Sequence, residues 1–148
     1  MTDYERRELF EIYKLHAESA DRVSERRERA HRLYVTLFLA LAVFLGGLLQ
    51  LGVDEEQVRI VLRVAAVAGM ILAASWYVVG RSYRQLNSGK FKALHDLEEK
   101  LAYPFYTREW ELLDEGKSAG RYWKLTVVES ALPAVFFLLS VILACSVW

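Results

Sequence analysis

Cysteine and proline are scarce in this 148-residue chain, and its formal net charge is zero. The single cysteine, Cys145, cannot form an intrachain disulfide, and no cysteine and histidine set has the spacing of metal ligands. A chain without net positive charge is also a poor nucleic-acid binder, because phosphate binding needs a basic surface field. We therefore predict no metal, no other cofactor and no nucleic-acid partner.

Three long apolar runs dominate what is present, at residues 33–51, 60–79 and 132–148. Each approaches the roughly 20 residues that a helix needs to cross a hydrocarbon layer about 30 Å thick. Of the 19 basic and 19 acidic residues, only Arg63 lies within these runs. The pattern predicts an all-α integral membrane protein with three transmembrane helices.

The charges outside the runs predict the orientation. An arginine-rich cluster at residues 25–32 precedes the first run, and residues 80–131 are also rich in lysine and arginine. The short loop at residues 52–59 is acidic. Positive charge beside a span marks the cytoplasmic side. We therefore expect a cytoplasmic N-terminal helix at 1–32, a cytoplasmic helical segment at 80–131, and an external loop and C-terminus.

The cytoplasmic parts are predicted to be helical. Residues 3–32 contain no glycine or proline, so we expect one helix that continues into the first span. The second span should continue as far as a turn at residues 87–89, followed by a helix at 90–101. Beyond Pro104, a short helix is predicted at 107–115, with Thr107 as its cap.

Small residues and a few cations are candidates for packing and lipid contacts. Small residues let helices approach closely in lipid, where they contact one another within a chain or between subunits. The charge of Arg63 suggests either a side chain that extends to the outer interface or a pore-lining or lipid-headgroup role. The candidate packing residues are Ala42, Gly46, Ala65, Gly69 and Ala73, and the candidate headgroup or pore cations are Arg63, Arg81, Arg84, Lys90 and Lys92.

No residue pattern predicts catalysis. His16, His31 and His95 are isolated from one another, and none is paired in sequence with a cysteine, serine or glutamate in a known catalytic arrangement. We therefore expect no enzyme activity and name no catalytic residue.

Residues 81–92 read RSYRQLNSGKFK, and this segment resembles the RipA family of small bacterial octameric membrane proteins. The resemblance continues through Glu98, Pro104, Trp110 and Pro133, and so covers most of the chain. It implies a bacterial inner-membrane protein that assembles as a homo-octamer, and it brings no defined catalytic residues. The polar residues of this segment are expected to be exposed. The candidate subunit or partner contacts are Tyr83, Arg84, Gln85, Asn87, Lys90, Phe91 and Trp110.

Several functions fit these predictions. The leading hypothesis is a non-enzymatic, oligomeric membrane scaffold or sensor whose partners are membrane lipids and its own copies. A channel or pore-forming effector is the alternative, although the spans carry no polar stripe of the kind that lines water-filled pores. A lipid-modifying enzyme would have to use Glu129 or His31. An accessory subunit of another complex would have the same sequence features as a scaffold.

Overall fold

In the computed structural model, the described residues form four α-helices. The structure describes residues 2–101, 103–113 and 125–148, without the side chains of residues 49 and 125–129. The helices are α1 (Asp3–Gln50), α2 (Glu55–Glu98), α3 (Phe105–Leu112) and α4 (Leu125–Val147). Within these described ranges there is no β-strand, which confirms the predicted all-α class.

Three of the helices, α1, α2 and α4, are long and apolar enough to cross a membrane. They contain the three apolar runs, so the prediction of three spanning helices is confirmed. Pro133 lies inside α4. Spanning helices tolerate an internal proline because neighbouring groups re-satisfy the backbone that it leaves open.

Helix α1 runs without interruption from the charged N-terminal region into the first apolar run, as predicted. Its first turn is closed by a capping box: the Thr2 N–H donates to the Glu5 carboxylate at 2.7 Å, and the Glu5 N–H donates to the Thr2 hydroxyl at 3.2 Å. Exposed ion pairs three or four residues apart follow along the charged half. These pairs are Glu11–Lys14, Glu18–Arg22 and Glu28–Arg32.

The prediction of a turn at residues 87–89 was wrong, because helix α2 continues through these residues to Glu98. Asparagine and glycine are weak helix formers, but the cost is only about 1 kcal/mol for a glycine. Contacts just after the predicted break hold the helix. Lys90 donates a hydrogen bond to the Ser19 hydroxyl of α1, and Leu94 is completely buried.

A tight connection joins α1 to α2. Gly52 has a φ of 62°, a left-handed conformation that glycine adopts without strain. The Asp54 carboxylate accepts the N–H of Glu56 at 3.3 Å, so it supports the start of α2 at Glu55. The acidic loop is therefore shorter than the predicted 52–59, and its last residues form the first turn of α2.

The chain divides into two compact units. The first, here called the charged unit, comprises Met1–Arg27 and Ser82–Val127, and Ala20, Val23, Leu94 and Glu98 are buried in it. The second, the apolar unit, comprises Glu28–Arg81 and Val128–Trp148. Its core is formed by Phe38, Ala73 and Trp76, with Tyr34, Val35, Leu72 and Phe136 packed around them.

Candidate functional site

The charged unit contains a carboxylate that accepts four hydrogen bonds, that of Glu98 at the end of α2. Glu98 is only 1% exposed. Its Oε1 accepts the Tyr13 hydroxyl at 2.9 Å and the Tyr106 N–H at 2.7 Å. Its Oε2 accepts the Thr107 N–H at 2.9 Å and the Thr107 hydroxyl at 2.7 Å. One carboxylate thus joins α1, α2 and α3.

Glu98 serves as the missing cap of α3. This helix begins at Phe105 after Pro104, whose side chain forms no capping hydrogen bond. The first N–H groups of a helix have no partner within it, and here the Tyr106 and Thr107 N–H groups are satisfied by Glu98. The prediction that Thr107 caps the helix was wrong, because Thr107 lies inside α3 and its hydroxyl also donates to Glu98. Residues 114–115 of the predicted helix lie outside the described residues.

The hydrogen bonds determine the charge state of this cluster. Burial acts to raise the pKa of Glu98, but the hydrogen bonds from Thr107, Tyr106 and Tyr13 outweigh it and hold the pKa below its usual value. The pKa of Tyr13 is raised by burial and by its hydrogen bond to the Glu98 carboxylate. Burial, together with the nearby charges of Asp21, Glu109 and Glu98, also raises the pKa of Tyr106. At neutral pH the cluster therefore holds one buried carboxylate and neutral phenols.

Beside this cluster lies an open groove of about 990 Å³, here called the basic groove. Its charged lining consists of three cations and one acid: Arg6, Arg7, Lys100 and Glu99. Its aromatic lining includes Phe10, Tyr103 and Phe105. These three aromatic side chains are all more than half exposed. None of the three cationic side chains forms an ion pair with another residue in the described parts of the chain. Among the described residues, the groove therefore combines an excess of unpaired cations with uncovered aromatic surface.

The predicted contact segment is less exposed than expected. Of the four polar residues singled out there, Gln85 is exposed, whereas Tyr83, Arg84 and Asn87 are half-buried. They lie on a helix that packs within the charged unit, and this burial was missed because residues 87–89 were predicted to form a turn.

Some of the other candidate contact residues pack within the chain, and others are exposed. Phe91 forms an edge-to-face contact with Tyr106, with ring centroids 5.4 Å apart. Lys90 bonds Ser19, so its ammonium group is used within the unit. Trp110 remains exposed on α3, and Arg81 and Lys92 are exposed on α2. Lys92 and Arg81 therefore remain candidates for a headgroup contact, which stays a prediction.

The apolar unit contains an aromatic cluster around Trp76, which is 1% exposed. The Trp76 indole N–H donates to Nδ1 of His31 at 2.7 Å. A nitrogen that accepts a hydrogen bond carries no proton of its own. Tyr34 stacks on the indole with an angle of 7° between the rings, and Phe38 and Phe136 stack on each other with centroids 4.3 Å apart. His31 therefore has a structural role in satisfying the buried indole.

The small residues of the two spans behave differently. Ala65, Gly69 and Ala73 are buried within the apolar unit. A Cβ on Gly69 would collide with the Ser140 hydroxyl of α4, so a glycine is needed for the close approach of α2 and α4. Ala42 and Gly46 of α1 are exposed, and a Cβ on Gly46 would meet nothing within 4 Å. The small face of α2 is thus used inside the chain, and that of α1 is not.

Arg63 makes a contact within the chain that the sequence did not predict, and its expected interface, pore or headgroup role stays a prediction. Its Nε donates to the carbonyl oxygen of Val147 at 3.0 Å, at the end of α4. The last carbonyls of a helix have no partner within it, and a cation there is favourable. Arg63 therefore ties α2 to the C-terminal end of α4.

Sequence reasoning missed the roles of Glu98, His31 and Arg63. A signal for the first was present: Pro104 has no side-chain acceptor, so the helix that follows it needs a cap from elsewhere. The partners of His31 and Arg63 lie 45 and 84 positions away, and no local pattern identifies them. Among the described residues no group of three or more His, Cys, Asp or Glu side chains could hold a metal ion.

Comparison with known proteins identifies the family. Curated proteins and solved structures contain no match to the chain. The model of the octameric membrane protein family (8xMP) matches residues 10–148, which is nearly the whole sequence. Its description agrees with the three span-length helices and with the uncovered surfaces of both units. The chain therefore belongs to the octameric membrane protein family.

Proposed function

We propose that this protein is a non-enzymatic, homo-octameric scaffold or sensor of a bacterial inner membrane, in which the charged unit forms a helical layer on the cytoplasmic side. The observation that carries the proposal is the match of residues 10–148 to an octameric membrane protein family. The three helices long enough to span a membrane support the same conclusion.

The proposed orientation is supported by the distribution of charge. Lysine and arginine are frequent on both segments of the charged unit, and the connection between α1 and α2 carries Asp54, Glu55 and Glu56. Basic segments beside spans stay in the cytoplasm. The N-terminus is then cytoplasmic, and the connection and the C-terminus face outward.

A scaffold role is supported by how the charged unit uses its side chains. The buried carboxylate of Glu98 accepts hydrogen bonds from four donors that fix α1 and α3, which is a structural role. Large apolar side chains are exposed on the surface of the charged unit, including Phe10, Leu15 and Leu112. Exposed apolar surface on a hydrophilic unit marks a place where other protein binds.

The contact of Arg63 favours a scaffold over a pore. A cation that serves a water-filled path has to face that path, and the Nε of Arg63 instead donates to the Val147 carbonyl. The small residues Ala65, Gly69 and Ala73 of the same helix are buried within the chain.

Orientation is tested by labelling single cysteines in intact cells. In a Cys145→Ser background, Glu56→Cys and Lys92→Cys place a thiol on two exposed positions of α2. A membrane-impermeant maleimide should modify the first and not the second, and permeabilised cells should show modification of both. Labelling of Lys92→Cys in intact cells would contradict the proposed topology.

A further inference from the structure

We infer that neighbouring copies contact each other head to tail, with the exposed acidic face of α1 of one copy seated in the basic groove of the next. The acidic face, here called the acidic ridge, consists of Tyr4, Glu8, Glu11 and Leu15. The inference rests on the proposed octamer and identifies the surfaces that would form it.

The first argument is uncovered apolar surface on both sides of the proposed contact. In the groove, Phe10 is 52% exposed and Tyr103 is 65% exposed. On the ridge, Tyr4 is 76% exposed and Leu15 is 60% exposed. Aromatic residues and leucine at this level of exposure on a charged unit are typical of a surface that another protein covers.

The second argument is charge complementarity. The lining of the groove is positive overall, with three cations against the single acid Glu99. The cations Arg6, Arg7 and Lys100 have no ion-pair partner in the described residues. The ridge presents Glu8 and Glu11, and Glu11 has only a long, exposed ion pair to Lys14 at 3.9 Å. Opposite charges across an interface fix its register and suppress wrong partners.

The third argument is geometry. At about 100° per residue, most groove positions of α1 lie on a different side of the helix from the ridge positions, and Arg7 lies between the two faces. When most of the groove and most of the ridge face different sides of α1, the same two copies cannot engage both ridge–groove pairs at once, so the contact is not two-fold symmetric. It is a heterologous contact, and a repeated heterologous contact forms a ring when its rotation closes. A ring is the arrangement that a single head-to-tail interface gives an octamer.

A crosslinking experiment tests the contact directly. The chain has one cysteine, so Cys145→Ser gives a background without thiols. Phe10→Cys places a thiol in the groove and Leu15→Cys places one on the ridge, both at exposed positions whose substitution leaves the core intact. In membranes treated with a short bismaleimide, the double variant should give a ladder of products rising to the octamer, and each single variant should give monomer alone.

Two outcomes would overturn the inference while leaving the octamer in place. A dimer from Phe10→Cys or Leu15→Cys alone would show a symmetric contact between like faces. A double variant that purifies as an octamer but gives no ladder would show that groove and ridge do not meet. The native mass of the wild-type protein, measured without crosslinker, tests the octamer independently of this contact. A monomeric wild-type protein would contradict the proposed function itself.

Charge reversal adds a second test. Arg6→Glu with Lys100→Glu, made in the crosslinking background, should abolish the ladder by opposing the acidic ridge. Adding Glu8→Lys with Glu11→Lys to the same chain should restore it. Retention of the ladder after the first pair, or no recovery after the second, would overturn the inference.

The matched control for charge reversal is Lys92→Glu with Arg108→Glu, which makes the same change in net charge at two positions that line neither the groove nor the ridge. It should keep the ladder. Helix content measured by circular dichroism should be the same in all of these variants, since every substituted side chain is exposed.

Discussion

At the scale of single residues, Glu98 shows how a buried charge is retained in a small helical unit. An isolated carboxylate away from water is costly, and it is tolerated when hydrogen bonds replace its hydration. Tyr13, Tyr106 and Thr107 supply those bonds, and two of them are N–H groups that the first turn of α3 would otherwise leave open. The charge therefore fixes the position of α3 on α1 and α2.

Glu98→Gln is expected to loosen α3. The amide NH₂ of glutamine would face donors, so at least one buried N–H loses its acceptor, at a cost of about 1–3 kcal/mol. Hydrogen exchange at the Tyr106 and Thr107 amides should become faster. The control Glu111→Gln breaks an exposed pair with Arg108 and should change exchange little. Unchanged protection in Glu98→Gln would contradict the capping role.

The same cluster predicts a dependence on pH. Folding lowers the pKa of Glu98, so its contribution to stability is fully present above the usual pKa of a glutamate. The contribution is lost as pH falls through the lowered pKa. Amide protection of Thr107 should therefore fall in acid in the wild type. In Glu98→Gln, which cannot titrate, it should be low at every pH, and an equal acid-induced loss in the variant would refute the assignment.

Gly69 and Gly46 form a matched pair for testing close packing between helices. Gly69→Ala brings a Cβ against Ser140 and should lower the free energy of unfolding in detergent by about 1–3 kcal/mol. Gly46→Ala meets nothing within 4 Å of its Cβ and should not destabilise the chain. Adding Ser140→Gly to Gly69→Ala should recover part of the loss. Equal thermal stability of the two alanine variants would contradict the packing described here.

At the scale of elements, α1 was predictable and α2 was only partly so. The lack of glycine and proline over residues 3–32 sufficed to predict a helix that enters the first span, as α1 does. In α2, local residues at 87–89 favoured a turn, but contacts with distant residues keep the helix intact. Ser19, which receives the Lys90 hydrogen bond, lies 71 positions away, and such contacts cannot be inferred from local propensity.

The contrast between local patterns and contacts with distant residues also explains which site residues the sequence predicted. Periodicity identified Ala65, Gly69 and Ala73 as one face of α2, and the structure buries them. It could not show that this face packs against Ser140 of α4 rather than against a neighbouring subunit. In the sequence, Glu98 resembled any other acid on a charged helix, because Tyr13, which donates a hydrogen bond to it, lies 85 positions away.

The continuity of α2 leads to a prediction for Gly89. This residue is exposed, has a helical conformation, and a Cβ added to it would meet nothing within 4 Å. Gly89→Ala should therefore raise the free energy of unfolding by about 0.5–1 kcal/mol, because alanine loses less backbone freedom in a helix. Thermal unfolding followed by circular dichroism measures this. A turn at this position would instead make Gly89→Ala neutral or destabilising.

At the scale of the whole molecule, charge is separated sharply along a chain whose net charge is zero. Of the described side chains in the three apolar runs, only that of Arg63 is charged, and it is bonded to a helix-terminal carbonyl. Lipid provides no hydrophobic drive for helices to associate, so assembly has to come from close packing and polar contacts. In the proposed octamer, the groove and the ridge of the charged unit would provide the polar part of these contacts.

The number of subunits is the most direct test of this account. Native mass spectrometry of the wild-type protein, released from membranes in a mild detergent, reads that number without labels or substitutions. The account predicts a single species with the mass of eight copies of the 17.1 kDa chain. A protein that leaves the membrane fraction without detergent, or a mass of one copy across a range of mild detergents, would contradict it.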